Sequence, residues 1–367
     1  MTSDDDKKQL KVAILNDFPY HSGVTSYAYG LYQSLRLTKN EATFHQFYVG
    51  KKSYEYPEAI YHNGIKFKIP KAFELNKLIG LNVKKLSHVT SQIIHLSNPS
   101  LYKLGNMDGR KIVTIHDLFY LNGNSNSKIM SAYYRNAYFK LKGSFPAIAD
   151  SNFTRNESIE KLGYEPSDII MVWPSIDTTK FTPKPFLSEK YCDNGKKKII
   201  LHVGYDSPNK NIKMLIDTMN ILPPEYELVR VGYNSPSTLK YIERQGQGGR
   251  IKLLGELNGF RLLENYKNSD IFVFPSLYEG FGIPPIEAMA SGIPTIVSNK
   301  ASLPEITGNA ALHSELTPEA IADKILKLND TKVAFNLYKK GIERSKLFSR
   351  SNQAEKLVNA YKSLLYL

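Results

Sequence analysis

Short apolar runs alternate with longer amphipathic stretches along this chain, and they do so in two successive series. The first series of expected strands is 11–16 (KVAILN), 43–49, 92–97 (QIIHLS), 111–115 (KIVTI) and 146–149. A second begins after residue 175, with 198–203 (KIILHV), 226–231, 251–254, 271–274 (IFVF) and 294–297. Helical periodicity fills gaps at 24–37, 128–142, 151–162, 209–221 and 317–328. Such strand–helix alternation predicts an α/β fold of parallel sheets with helices on both faces. Two series predict two doubly wound, Rossmann-like domains, and 367 residues suffice for a core in each. The linker falls in WPSIDTTKFTPKPF (173–186), which is proline-rich and has no periodic pattern. The expected domains are therefore 1–175 and 176–349. The final stretch, 350–367, reads as a capped amphipathic helix with Leu357, Tyr361 and Leu364 or Leu365 on one face, returning to the first domain. Two such domains facing each other leave a cleft lined by the carboxyl ends of strands.

Several function classes are excluded early. No run approaches the ~20 apolar residues of a membrane span, and the acidic MTSDDDKK start has no apolar segment behind it. The single cysteine, Cys192, allows no internal disulfide. The expected setting is cytoplasmic. There is no Walker A sequence, no GxSxG and no Cys/His cluster with zinc spacing. The Asp4–Asp6 run precedes the first strand, so no metal site is expected. Charge is unevenly placed: residues 51–150 carry 15 Lys/Arg against 6 Asp/Glu. A basic surface there suits a phosphorylated ligand or anionic lipid, or simply keeps the protein soluble.

Chemistry concentrates in FPSLYEGFGIPPIEAMASGIPTIVSN (274–299), where Glu279 and Glu287 flank a run of glycines and prolines. The stretch follows an expected buried strand, and ligands bind at the carboxyl ends of such strands. Gly280 and Gly282 allow close backbone approach; Pro284 and Pro285 suit a helix start, which places Glu287 near that start. Glu287 alone could equally complement the helix dipole. In HVGYDSPNKNIKML (202–215), Gly204 opens a turn and a helix is expected from near Asn209. Lys210 there is electrostatically misplaced unless a bound anion reverses the argument.

The full pattern, Glu279–Gly280–Phe281–Gly282, then Pro285, Glu287, Ala288, Met289, Ala290, Gly292 and Pro294, resembles the signature of retaining glycosyltransferases of family 4. The following SNKASLPEITGNAAL (298–312) is similar to its mannosyltransferase members. The resemblance implies the GT-B architecture and a nucleotide-sugar donor, GDP-mannose before UDP-sugars, with no other cofactor. It implies that Glu279 and the amides of Gly280, Phe281 and Gly282 hold the sugar, that Glu287 holds the ribose, and that Lys210 meets the diphosphate at the Gly204 turn. The family's usual arginine after that glycine is Tyr205 here, a departure that throws more weight on Lys210 or on a cation from elsewhere.

In the first domain the resemblance brings Gly23, at a helix start, toward the donor phosphate, and His116 toward the donor sugar, with Asp117 beside it. Ser151, an expected helix cap, and Arg155 are candidates of a second tier. The expected reaction moves a hexose, with retention, to a glycan or lipid-linked acceptor. Contact with an anionic membrane's inner face is expected through the basic, leucine-rich segment 71–90, and no nucleic acid is expected. Rival readings are a GT-B epimerase or phosphorylase, and a non-catalytic basic protein with a vestigial sugar site.

Overall fold

The computed structural model describes residues 9–17, 23–48, 56, 58–63, 89, 91–104, 107–123, 128–192, 195–246 and 248–365. The chain divides into two units: Met1–Ser175 with Arg350–Leu367, and Ile176–Ser349. The segment 71–90, apart from Val89, and the Asp4–Asp6 run lie outside the described residues.

Among the described residues the first unit has seven strands: β1 (Lys11–Asn16), β2 (Glu41–Tyr48), β3 (Ile60–Asn63), β4 (Ile93–Leu96), β5 (Arg110–Ile115), β6 (Ala147–Ala149) and β7 (Ile169–Met171). All pair in parallel, in the order β3-β2-β1-β4-β5-β6-β7. Its helices are α1 (Gly23–Arg36), α2 (Lys128–Leu141) and α3 (Asn152–Glu157), the last continuing into a π turn, Ser158–Leu162. Alternate residues of each strand feed opposite faces. Ala13, Leu15, Ile94 and Leu96 enter one core with α2 side chains, while Val12, Ile14, Ile93 and Phe44 enter another with α1.

The second core is closed by α12 (Arg350–Leu365), which buries Leu357, Ala360, Tyr361 and Leu364 against Tyr27, Ala28, Leu31 and Leu35. A buried polar relay ties α12 to the sheet. Tyr361 OH lies 2.6 Å from His95 Nδ1, and His95 Nε2 lies 2.6 Å from Thr114 Oγ1. Burial, reinforced by the nearby His116, pushes the His95 pKa down to about 3, so the imidazole is neutral. Tyr361→Phe leaves one buried ring nitrogen unmet and should cost about 1–3 kcal/mol. Urea unfolding of both proteins measures the difference.

The second unit holds β8 (Lys198–Val203), β9 (Tyr226–Val231), β10 (Ile251–Leu253), β11 (Ile271–Phe274), β12 (Thr295–Ser298) and β13 (Leu312–Ser314). These too are all parallel, in the order β10-β9-β8-β11-β12-β13. The intervening helices are α4 (Glu189–Cys192), α5 (Ile212–Ile221), α6 (Pro236–Arg244), α7 (Gly259–Asn268), α8 (Ile283–Ala290), α9 (Leu303–Thr307), α10 (Pro318–Lys327) and α11 (Thr331–Ser345). Ile200, Leu228, Ile271 and Ile296 face one core; Leu201, Val229, Phe272 and Val297 face the other. Each sheet reverses its winding once, between β1 and β4 and between β8 and β11. Strand-end loops diverge at such a reversal and leave a crevice.

The expected strands do not include β3, β7 and β13. Each is an edge strand of three or four residues; β3 and β13 mix polar residues into their short spans, while the apolar run IIMV that contains β7 was passed over just before the proline-rich linker. The helix expected from near Asn209 begins at Ile212, because Asn211 adopts a left-handed conformation (φ 54°) that ends the preceding Pro208–Lys210 turn.

Candidate functional site

The reversal between β8 and β11 assembles most of the candidate residues of the second unit. After β8, Gly204 leads into the tight turn that carries Lys210. After β11, the chain runs through Leu277 to Gly282 before α8. The two loops are stitched together: Leu277 N donates to Asn209 O at 2.7 Å, and Asn209 Nδ2 to Tyr278 O at 3.1 Å. That stitch delivers Lys210 Nζ to Glu279 Oε1 at 2.6 Å, with side-chain exposures of only 17% and 11%. The ammonium also lies 4.9 Å from the centre of the Phe274 ring. Lys210 is therefore held by a carboxylate rather than stranded at a helix terminus.

The loop between Glu279 and α8 is fixed from below. Ser302 Oγ donates to Glu279 O and Phe281 O at 2.9 and 2.8 Å. Gly280 is buried. The Phe281 ring is spent on the core, edge-on to Phe348 at 5.6 Å. Gly282 has φ +106°, and a Cβ there would meet Leu303 Cδ2 at 2.8 Å, so another side chain would be strained twice over.

Glu287 is not at the start of its helix. It is in the second turn of α8, and Tyr266 OH from α7 donates to its Oε2 at 2.7 Å. The dipole explanation for this residue falls with its position. Burial raises the Glu287 carboxyl to about 7, against which the Tyr266 hydroxyl works only in part. Glu279 and Glu287 thus have separate partners.

Two residues that sequence reasoning passed over lie under the Gly204 turn. Arg230, in β9, is fully buried, and its guanidinium donates to Gly232 O, Tyr233 O and Gly204 O at 3.1, 3.0 and 3.3 Å. Among the described residues its Nε has no partner. The approach is so close that a Cβ on Gly232 (φ +128°) would come 1.9 Å from Gly204 O. His202 is also fully buried, stacked on Phe274, and its ring nitrogens lack partners among the described residues. Burial, then the charges of Arg230 and Lys210, hold its pKa well below the ordinary histidine value. Above them Tyr205 is 58% exposed and stacks on Tyr233 at 5.2 Å. An arginine between two valines in an otherwise buried strand, LVRV, was the available signal for Arg230.

The first unit gathers a second polar cluster at its own reversal. His116 follows β5, and its Nδ1 meets Asp150 Oδ2 at 2.5 Å while its Nε2 donates to Ser97 O at 2.7 Å. Burial alone would lower the His116 pKa, but the Asp150 carboxylate and the Ser97 carbonyl outweigh it and raise the value. Both ring nitrogens are therefore occupied within the unit. Asp150 stands directly after β6, as His116 stands after β5, and that shared position could have marked it. Asp117 accepts from Phe119 N at 2.8 Å, and its charge adds to those that raise the His116 pKa. Asn16, Ser97 and Asn98 extend the cluster, with Ser97 Oγ donating to Asn16 Oδ1 and Asn98 Nδ2 to Asp17 Oδ1, both at 2.7 Å.

The remaining candidates are structural in their contacts. Ser151 caps α3 by accepting from Thr154 N. Arg155 donates to Ile169 O and Pro166 O at 2.9 and 2.8 Å, so it braces the chain entering β7 rather than a strand-end crevice. Gly23 opens α1, and a Cβ there would meet nothing within 4 Å. Among the described residues no group of His, Cys, Asp and Glu could hold a metal ion.

Sucrose-phosphate synthase from Thermosynechococcus elongatus superposes with a TM-score of 0.78 at 18% identity, covering 97% of this chain and 99% of that one. WaaG, a glycosyltransferase involved in lipopolysaccharide biosynthesis, superposes at 0.73 and 14% identity over 95% and 98%. The fold is GT-B. Anabaena HepE, solved in complex with UDP and glucose, shares this GT-B fold at a TM-score of 0.78 and 16% identity, over 97% of this chain and all of that one. Residues 183–347, nearly the whole second unit, match the family model Glycosyl transferases group 1. O-antigen chain mannosyltransferase B of Escherichia coli is 33% identical over 229 residues, 58% of this chain and 59% of its own length. O-antigen chain mannosyltransferase RfbU of Salmonella typhimurium is 29% identical over 49% of each chain. The matched part of this chain thus spans about half to three-fifths of these two relatives.

Proposed function

We propose that this protein is a glycosyltransferase that moves a hexose, by preference mannose, from a nucleoside diphosphate donor to a glycan or lipid-linked acceptor with retention at the anomeric carbon. The observation that carries the reading is the Lys210–Glu279 pair, set at the β8/β11 reversal of a unit matched to glycosyl transferases group 1. The mannosyltransferase relatives support the choice of sugar, and GDP-mannose is the first donor to try.

Charge builds on the departing diphosphate as the glycosidic bond breaks, while the sugar gains oxocarbenium character. Lys210 supplies the facing cation, and the amides of the Glu279–Gly282 loop supply fixed dipoles. Arg230 stiffens the Gly204 turn from beneath and adds positive potential where Tyr205 offers none. Glu279 accepts sugar hydroxyls, and Glu287 accepts those of the ribose. His116, locked between Asp150 and Ser97, orders the strand ends of the first unit instead of reaching a substrate through its ring. No cofactor beyond the donor is required by this scheme. Among the described residues no helix is long and apolar enough to cross a membrane; the proposed setting is the cytoplasmic side of one, where a lipid-linked acceptor would be met.

Purified protein incubated with GDP-mannose and a panel of UDP-sugars tests the reading. Nucleotide release that depends on acceptor is the expected result. Formation of an epimer or a hexose phosphate from donor alone would move the reaction to a rival class, and no release with any donor would remove the enzyme reading. A ligand screen by thermal shift identifies the base, since ligand binding raises the apparent melting temperature. Lys210→Ala should weaken nucleoside diphosphate binding about 10-fold or more while leaving the nucleoside unchanged, because a charged hydrogen bond is worth about 1.5–3 kcal/mol. Calorimetry with both ligands, repeated at high salt, reads this difference.

A further inference from the structure

The site chemistry leaves the outward face of α2 unused. The inward stripe of this helix, Met130, Tyr133, Tyr134, Ala137, Tyr138 and Leu141, is buried. On the opposite side Ile129 and Phe139 are 60% and 56% exposed. A helix advances about 100° per residue, which puts Phe139, Ala132 and Ile129 within one sector of about 80° on the exposed side, with Ile129 at the end beside Lys140. Lys128 and Arg135 then border it on one side and Lys140 on the other, with Lys142 in the turn that follows. Asn136 also falls in the arc, but its amide donates to Tyr102 OH at 3.2 Å.

The charge on this face is of one sign. From Leu118 to Ala149 the chain contains no Asp or Glu. Among the described residues none of the four cations is paired with a carboxylate. An apolar centre bordered by Lys and Arg is the arrangement of a helix lying in a membrane interface. The apolar groups enter the acyl boundary while the long basic side chains extend to headgroup phosphates. A second copy of this chain is a poor occupant, because it would bring the same cations face to face.

We propose that the outer face of α2 docks on an anionic lipid surface, with Ile129 and Phe139 inserted and Lys128, Arg135, Lys140 and Lys142 on the headgroups. Docking here requires neither the donor site nor the transfer reaction, so the two readings stand or fall separately. It also places membrane contact on described residues, in an element other than the 71–90 segment.

Vesicle flotation tests it. Vesicles with about 30% phosphatidylglycerol should retain the protein at about 50 mM salt and release most of it at about 500 mM, whereas pure phosphatidylcholine should not bind it. Ile129→Ser with Phe139→Ser should weaken anionic-vesicle binding by roughly 10-fold at unchanged melting temperature. Arg135→Glu with Lys140→Glu should abolish it. Nucleoside diphosphate binding should be the same in both double variants as in the parent. Absence of vesicle binding by the parent protein overturns the proposal. So does binding that both variants retain, or a parent dimer in light scattering that the variants dissolve without any change in vesicle binding.

Discussion

Glu279→Gln should lower turnover by roughly 10²-fold or more, on the scale of losing one preorganised transition-state contact, while nucleoside diphosphate affinity holds or rises. The second half of that expectation comes from the ion pair. In the free protein the Lys210 ammonium is already answered by Glu279 at 2.6 Å, so an incoming diphosphate must compete with a carboxylate for it. The amide of glutamine keeps the shape and removes the competitor. A residue that merely completes a structural salt bridge would behave otherwise: its neutralisation would cost melting temperature and spare kcat. Steady-state kinetics alongside product-inhibition constants separate the two. A parallel loss of turnover and of diphosphate affinity would mean that Glu279 only positions the lysine.

Glu287→Gln should act in opposite directions on stability and on binding. The Glu287 carboxyl titrates at about 7 in the fold, against an ordinary value of 4.5. The fold therefore favours the neutral acid. Its contribution to stability is fully present below pH 4.5 and is lost as pH rises to about 7 and beyond. Near pH 8 the parent protein keeps an ionised carboxylate in a poorly hydrated place, and glutamine relieves a penalty on the order of 1–3 kcal/mol. The variant should melt higher than the parent at about pH 8 and no higher at about pH 4. Nucleotide binding should weaken about 10- to 100-fold, as expected when a charged acceptor for ribose hydroxyls is lost. The parent's advantage over the variant in nucleotide affinity should grow between about pH 6 and pH 8, because only the ionised form accepts two hydroxyls. Equal melting temperatures across this range would mean that the carboxylate is well solvated and that its titration carries no functional information.

Much of the fold was legible because both sheets are covered on both faces, which forces short apolar runs such as IIL in β8 and IFVF in β11. Edge strands escape that requirement, which is why β3 and β13 left no trace in the pattern, whereas β7 left the short run IIMV, which was passed over. Within the site, Lys210 and Glu279 could be singled out because each breaks a local rule, a cation or an acid amid turn-forming residues. Their pairing could not be, since it depends on the Asn209–Leu277 stitch across 68 positions of sequence. Arg230 and Tyr266 were missed for a related reason. Each begins inside an element with a plausible packing role, and only the tertiary arrangement turns the polar end toward Gly204 or Glu287. His116 shows the reverse case, a residue correctly placed at a strand end whose ring is taken up by neighbours.

The return of α12 to the first unit imposes an order on how the chain can mature. As the polypeptide emerges from a ribosome, residues up to 175 have every strand of the first sheet. They lack the helix that covers Val12, Ile14 and Ile93 and that supplies the partner of His95 Nδ1. The second unit, contiguous from Ile176 to Ser349, can finish while its predecessor still waits. A nascent chain that stops after Ser349 would then contain one complete unit and one with an open apolar face, a substrate for chaperones or proteases although every strand is present. Fusing residues 350–367 directly behind residue 175 through a flexible linker should restore a soluble first unit, and its solubility relative to residues 1–175 alone would measure how much of that unit's independence is held in its last helix.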